Sequence, residues 1–164
     1  MEIRKAEMSD LPRMMEIYAE AREYMRANGN PNQWINGYPS REKIREDIEA
    51  GESWLCVEDG QILGVFCFFI HKDPTYDVIY EGGWLNDEPY GVIHRIAVAN
   101  PGHGIAGKCF HWALSQCPNL RIDTHRDNLP MQRVLQRAGF IHRGTIFLEN
   151  GDPRLAYDWI DTTR

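Results

Sequence analysis

HRIAVANPGHGIAGKCFHWAL, residues 94–114, joins three kinds of local signal in one run. The strand candidate Tyr90–Ala99 is rich in β-branched and apolar residues. Asn100-Pro101-Gly102-His103-Gly104 then breaks it, and Ile105–Gln116 follows at helical spacing. A strand, a Gly-x-Gly turn and a helix start make an anion site on elementary grounds. The first-turn amides have no partner inside the helix, and the helix dipole places about half a positive charge there. Gly102, Gly104 and Gly107 let main chain approach a ligand closely, and His103 and Lys108 could add charge. An ordinary tight strand-to-helix turn accounts for the same residues. The run lacks GxxxxGK[ST], so a P-loop is unsupported; Gly102-x-Gly104-x-x-Gly107 has the GxGxxG spacing, but it is not read together with an acidic residue at the right distance, so a dinucleotide fold is only weakly supported.

Outward from this unit, the chain reads as mixed α/β. Glu2–Ala6 is a strand candidate, and Ser9 is the expected cap of a helix that carries Leu11, Met14, Met15, Tyr18 and Met25 on one face and stops at Asn28-Gly29. Residues 30–39 form a loop containing Trp34 and Tyr38, and Ser40 caps a second helix ending at Gly51. Trp54–Glu58 and Ile62–Ile70 flank Asp59-Gly60, a strong hairpin signal, and their weak alternation predicts a sheet covered on both faces. Residues 71–89 are irregular, with a possible short strand at Val78–Tyr80. Leu120–Thr124 is a strand, Asn128–Ala138 a helix stopped by Gly139, and Phe140–Glu149 with Leu155–Ile160 a last hairpin across Asn150-Gly151. The order is strand, two helices, three strands, helix, strand, helix, two strands. It predicts one domain over residues 1–164, built on a central mixed sheet of six to seven strands with helices on both faces.

Composition narrows the function. The net charge of −6 and the lack of a basic stripe argue against nucleic acid and mildly favour a cationic partner. No apolar run approaches the roughly 20 residues of a membrane helix. The start, MEIRKAEMSD, lacks the marks of a signal peptide, so a cytoplasmic location is expected. Cys56, Cys67, Cys109 and Cys117 form no CxxC pair and read as small buried hydrophobes. Asp123-x-His125 is too short a fragment to mark a metal site, and no metal is expected.

Two motifs carry a family resemblance. Residues 94–114 resemble the acetyl-CoA-binding motif of the GNAT (GCN5-related N-acetyltransferase) superfamily, a strand followed by [QR]-x-x-G-x-[GA] and a helix. Gly104-Ile105-Ala106 match G-x-[GA], and Pro101 stands where a Gln or Arg is usual. Asn128, Met131, Val134, Leu135, Gly139 and Phe140 resemble the family's second signature, N-x-x-A-x-x-L-Y-x-x-x-G-F, with Leu135 in the place of its tyrosine. The nearest likeness is to an uncharacterised bacterial branch, and the element order matches along nearly the whole chain.

This resemblance implies an acyl-CoA-dependent N-acyltransferase in which two neighbouring parallel strands splay to admit the donor. Main chain at Ile96 and Val98 would pair with the pantetheine arm, and the Val98 amide would polarise the thioester carbonyl. Asn128 would bond the arm, and amides across Gly102, His103, Gly104, Ile105, Ala106 and Gly107 would hold the diphosphate. The acceptor would be the amine of a small molecule or a peptide, and a homodimer is possible. The family's usual acid, a tyrosine at position 135, is missing, so the catalytic candidates are drawn from other residues. His94 is the candidate base. His125, Asp123, Tyr157 and Glu81 are further candidates for catalysis or substrate binding, against plain roles as strand, loop or core residues. Trp34, Tyr80 and Trp84 are candidates for an acceptor pocket, and covering the core edge is their alternative. A GNAT-like module that binds acyl-CoA without turnover is the competing reading.

Overall fold

A computed structural model describes residues 1–163. Seven strands, β1 (Glu2–Lys5), β2 (Ser53–Glu58), β3 (Gln61–Phe69), β4 (Gly91–Val98), β5 (Asn119–Thr124), β6 (Ile141–Phe147) and β7 (Pro153–Ile160), form one sheet in the order β1-β2-β3-β4-β5-β7-β6. Every neighbouring pair is antiparallel except β4 and β5. The helices are α1 (Leu11–Ala27), α2 (Arg41–Glu49), α3 (Ile105–Gln116) and α4 (Leu129–Ala138).

Successive residues of β2 show why its alternation is weak. Leu55 and Cys56 point to opposite faces of the pleat, yet both are fully buried. Leu55 joins Val65 and Ala97 under α1 and α2, against Leu11, Met14, Ile17 and Ile44. Cys56 joins Phe66, Phe68, Ile93 and Ile122 under α3 and α4, against Phe110, Ala113 and Leu135. Beyond α1 and α2 the first face is closed by the irregular segment 70–90, whose Tyr76 and Tyr90 pack with Val92, Ile146 and Ala156. All four cysteines are buried and free, as the composition predicts.

Local chemistry sets the boundaries. Asp59 and Gly60 both take positive φ, which suits the two-residue hairpin turn between β2 and β3. Ser40 Oγ accepts the Lys43 amide at 3.1 Å and caps α2. Ser9 is not the cap of α1. It lies inside a 3-10 turn, Met8–Asp10, in which the Glu7 amide donates to Asp10 Oδ2 at 2.8 Å. Asp10 also receives Arg4 at 2.9 Å, and that ion pair competes for the carboxylate that begins the helix. The expected strand at Val78–Tyr80 shrinks to a single bridge, Tyr80 to Thr145.

Candidate active site

One half of the site centres on the main chain of the loop that joins β4 to α3. The loop after β4 turns at Gly102 (φ 93°) and Gly104 (φ 74°), left-handed conformations that glycine adopts without strain. The first i→i−4 bond of α3 runs from the Lys108 amide to the Gly104 carbonyl at 3.2 Å, so the amides of Ile105, Ala106 and Gly107 have no intrahelical acceptor. A Cβ built on Gly102, Gly104 or Gly107 would meet no atom within 4 Å, so the three glycines face open space. That space is a cavity of about 600 Å³ between the loop, α3, α4 and the last turns of α1. His103 is exposed beside the loop and is not part of the cavity wall.

The parted strands lead from this cavity to a second one. β4 and β5 pair only at Gly91–Leu120 and Val92–Arg121, after which the ladder ends. A bulge in β4 accompanies the parting. Its register with β3 shifts between Val65–Ala97 and Cys67–His94, and Arg95 takes a positive φ of 49°. The Ala99 amide bonds Leu63 on the β3 side at 2.9 Å, so strand alternation turns the N–H groups of Val98 and Ile96 toward the open side. Bonds on the face of α1 and α2 hold the bulge. Tyr18 Oη donates to the Arg95 carbonyl at 2.9 Å, and the Arg95 guanidinium forks onto Asp47 of α2 at 2.8 and 3.0 Å.

The second cavity, about 670 Å³, lies between the loop joining α1 to α2, the middle of β4, the end of β5 and the β6–β7 turn. Met25, Ile96, Asn128 and Met131 line both cavities, so the two meet at the strand gap. His94, Asp123 and Trp34 also line it. His94 Nε2 lies 2.6 Å from Asp73 Oδ2, and Asp123 accepts the Tyr76 hydroxyl at 2.7 Å. Trp34 is buried against Tyr18 and Tyr38.

Asp73 is held in its ionised form. Burial alone would raise its pKa, but the His94 ring and the Thr75 amide outweigh burial and bring it down to about 2. The folded value is below the ordinary 3.8, so this carboxylate contributes stability above that value and loses it as pH falls toward 2. Asp73→Asn is expected to flatten stability against pH in the window from about 4 to 2, read as the urea midpoint.

The other candidates lie elsewhere. His125 Nδ1 accepts the Asp127 amide at 3.0 Å, stabilising the turn before α4. Its pKa is lowered by burial and then by Arg154. Tyr157 is buried on the α3–α4 face against His142, and burial raises its pKa. Glu81 is exposed in a left-handed conformation (φ 58°). Tyr80 packs on Phe147, while Trp84 donates to the Tyr76 carbonyl at 2.9 Å and carries the Arg121 guanidinium 4.3 Å from its ring. None of these five lines either cavity. Asn128 does, but its side chain is engaged: Oδ1 caps α4 through the Met131 amide at 3.1 Å, and Nδ2 donates to Gln33 at 2.9 Å.

Asp73, Gln33 and Arg154 were not marked by sequence motifs. Asp73 precedes a proline in an irregular segment and meets His94 only through the tertiary fold. Asp73-Pro74 is a recognisable turn start, but it does not name its partner. Among the described residues no group of three or more His, Cys, Asp or Glu is arranged to hold a metal ion. No helix among them is long and apolar enough to cross a membrane.

Comparisons with known proteins agree with this geometry. A search of curated proteins finds no match. Among solved structures, a GNAT-family acetyltransferase from Streptococcus agalactiae 2603 is 34% identical, with a TM-score of 0.89 over 97% of this chain and 94% of its own. A GNAT-family acetyltransferase from Listeria monocytogenes 4b F2365 is 20% identical, with a TM-score of 0.71 over 97% of this chain and 94% of its own. AAC(6')-Ib, solved with ribostamycin and coenzyme A, shares the fold at 18% identity, with a TM-score of 0.64 over 96% of this chain and 92% of its own. The model of the acetyltransferase (GNAT) family matches residues 11–140, most of the chain. With its central parallel strands parted beside the loop of Gly102 and Gly104, the chain belongs to the GNAT family of N-acetyltransferases.

Proposed function

We propose that the chain transfers an acetyl group from acetyl-CoA to the primary amine of a small molecule, with both substrates bound together. The observation that carries this reading is the parting of β4 and β5 after Val92, beside a helix start with free amides. The wall fits the donor: open space over Gly102, Gly104 and Gly107, unpaired N–H groups on a strand edge, and a fold-sharing relative that holds coenzyme A. The amides of residues 105–107 would receive the diphosphate, and the β4 edge would receive the pantetheine arm as an added strand. Acetyl-CoA supplies an acyl group activated as a thioester, open to attack by a neutral amine.

The chain's own part is to bind, to orient and to move a proton. The Val98 N–H, pre-aimed into the gap, would stabilise charge on the acyl oxygen. Ionised Asp73 accepts from His94, which fixes the Nε2–H tautomer and leaves Nδ1 with the free lone pair. His94 thus serves as the base that takes the proton from the incoming ammonium, directly or through water. Asp123, on the same sheet face, helps hold the cation.

Leu135 favours a second reading, a binding module without turnover. It is fully buried in the core and carries no proton to deliver to the leaving sulfur. Thiol release from acetyl-CoA across a panel of amines, with mass spectrometry of the products, separates the two. Acetylated amine together with free CoA is the expected result. Calorimetric binding of acetyl-CoA with no release from any amine would support the module.

A further inference from the structure

The acceptor cavity contains a buried cation that the chain leaves without a counter-ion. Arg154, on β7, is 6% exposed. Its Nη1 donates to the Pro153 carbonyl at 2.9 Å and its Nη2 to the Gln33 carbonyl at 3.4 Å. Among the described residues no carboxylate oxygen lies within 4.0 Å of it. Three other guanidinium groups meet a carboxylate or aromatic faces. Arg95 has Asp47 and Arg143 has Asp158, while Arg121 lies over the rings of Trp84 and Tyr90 at 4.3 and 4.0 Å. Burial lowers the pKa of Arg154, and Asp123 and Asp152 offset this only from beyond contact distance. Keeping an unpaired charge out of water is costly unless a partner arrives.

Thr124 also lines the cavity, but its register partner on β7 is Leu155, so strand alternation turns it to the opposite face of the sheet from Arg154. The acids of the cavity occupy other positions. Asp123 is engaged by Tyr76, Glu149 is exposed on the rim, and Asp152 is half-buried in the β6–β7 turn. One end of the cavity therefore offers donors to an anion, while the rest offers carboxylates and His94 to an ammonium.

We infer that the acceptor is a zwitterion, a small amine that also bears a carboxylate, with that carboxylate received by the Arg154 guanidinium. This rests on the acetyl-transfer reading above and names the class of its acceptor. The ammonium end lies toward His94 and Asp123. His94 and Arg154 line one cavity of about 670 Å³ across the parted strands, room for a molecule of amino-acid size. A polycation of the aminoglycoside kind would bring more positive charge to Arg154 and is disfavoured.

The test uses matched pairs that differ in the carboxylate: leucine against leucinamide, and γ-aminobutyrate against butylamine. Binding is measured by calorimetry on the CoA-loaded protein, which needs no turnover, and transfer is measured as thiol release from acetyl-CoA. The wild-type protein is expected to bind and acetylate the carboxylate member of at least one pair about tenfold better or more. Arg154→Gln is expected to weaken that binding about 10²-fold while leaving acetyl-CoA affinity in place, and Arg154→Lys to retain part of it. Equal binding of acid and amide by the wild-type protein overturns the inference even if the variants fail to fold. A preference for kanamycin or spermine also overturns it. A third overturning result is dependence on Arg154 that appears with succinyl-CoA as donor but not with the carboxylate amines, because the charge would then serve the acyl chain. Arg154-dependent binding of the carboxylate members without any transfer would uphold the zwitterion site and remove the transferase reading.

Discussion

His94→Gln is expected to lower kcat for acetyl transfer by about 10²- to 10⁴-fold, the range for loss of a positioned general base. Glutamine keeps much of the imidazole's size and its capacity to bond Asp73, so the wall of the acceptor cavity persists. It cannot take a proton. In the pH–rate profile the rising acid limb that a titrating base imposes should disappear, leaving a slow and flatter rate. Acetyl-CoA affinity should not change, because His94 lines the acceptor cavity and not the donor cavity. An acid limb identical to that of the wild-type enzyme would remove His94 from the mechanism. Asp73→Asn should show a milder form of the same defect, since it removes the carboxylate that sets the imidazole tautomer.

Gly104→Asp is expected to raise the Kd for acetyl-CoA by about 10²-fold or more, equivalent to about 3 kcal/mol. The substitution adds a negative side chain at the helix start, where the free amides would otherwise face the diphosphate, so it reverses the local electrostatics. The left-handed φ of 74° adds strain of about 1–2 kcal/mol for a residue with a Cβ. The fold itself should survive, because the new Cβ meets no atom within 4 Å. Gly104→Ala isolates the strain and should weaken binding far less. Titration calorimetry compares the three proteins, and an aspartate variant that binds acetyl-CoA like the wild type would place the diphosphate elsewhere.

The parts of this molecule that were legible in the sequence are those whose physics is local. Asp59-Gly60, the Ser40 cap, the Gly139 stop and the Gly102–Gly104 turn depend on neighbours a few residues away, and each forms where the sequence places it. Ser9 misled because a cap depends on competition. Asp10, one residue later, gains both an ion pair with Arg4 and the Glu7 amide. In the candidate site, the 102–107 turn was reachable because a strand–turn–helix unit announces an anion cradle, whereas Ile96 and Val98 were named only through the family resemblance. The acceptor half was not legible. Asp73 meets His94 across 21 residues, and Gln33 meets Arg154 across 121, and no periodicity records either pairing. Tyr80 and Trp84 were singled out as aromatics in an irregular segment, but that segment spends them on covering the sheet edge and on Arg121.

The two cavities differ in what their walls are made of, and this bears on how such a protein can change over generations. At the glycine turn itself the groups open to a ligand are main-chain amides, which most side-chain replacements leave as they were. Across the strand gap the surface includes the side chains of Gln33, Trp34, His94 and Arg154, carried on a connecting loop, a strand and a hairpin. Descendants of this chain can therefore exchange one acceptor for another through a few replacements in the second chamber, while the first continues to accept the same donor.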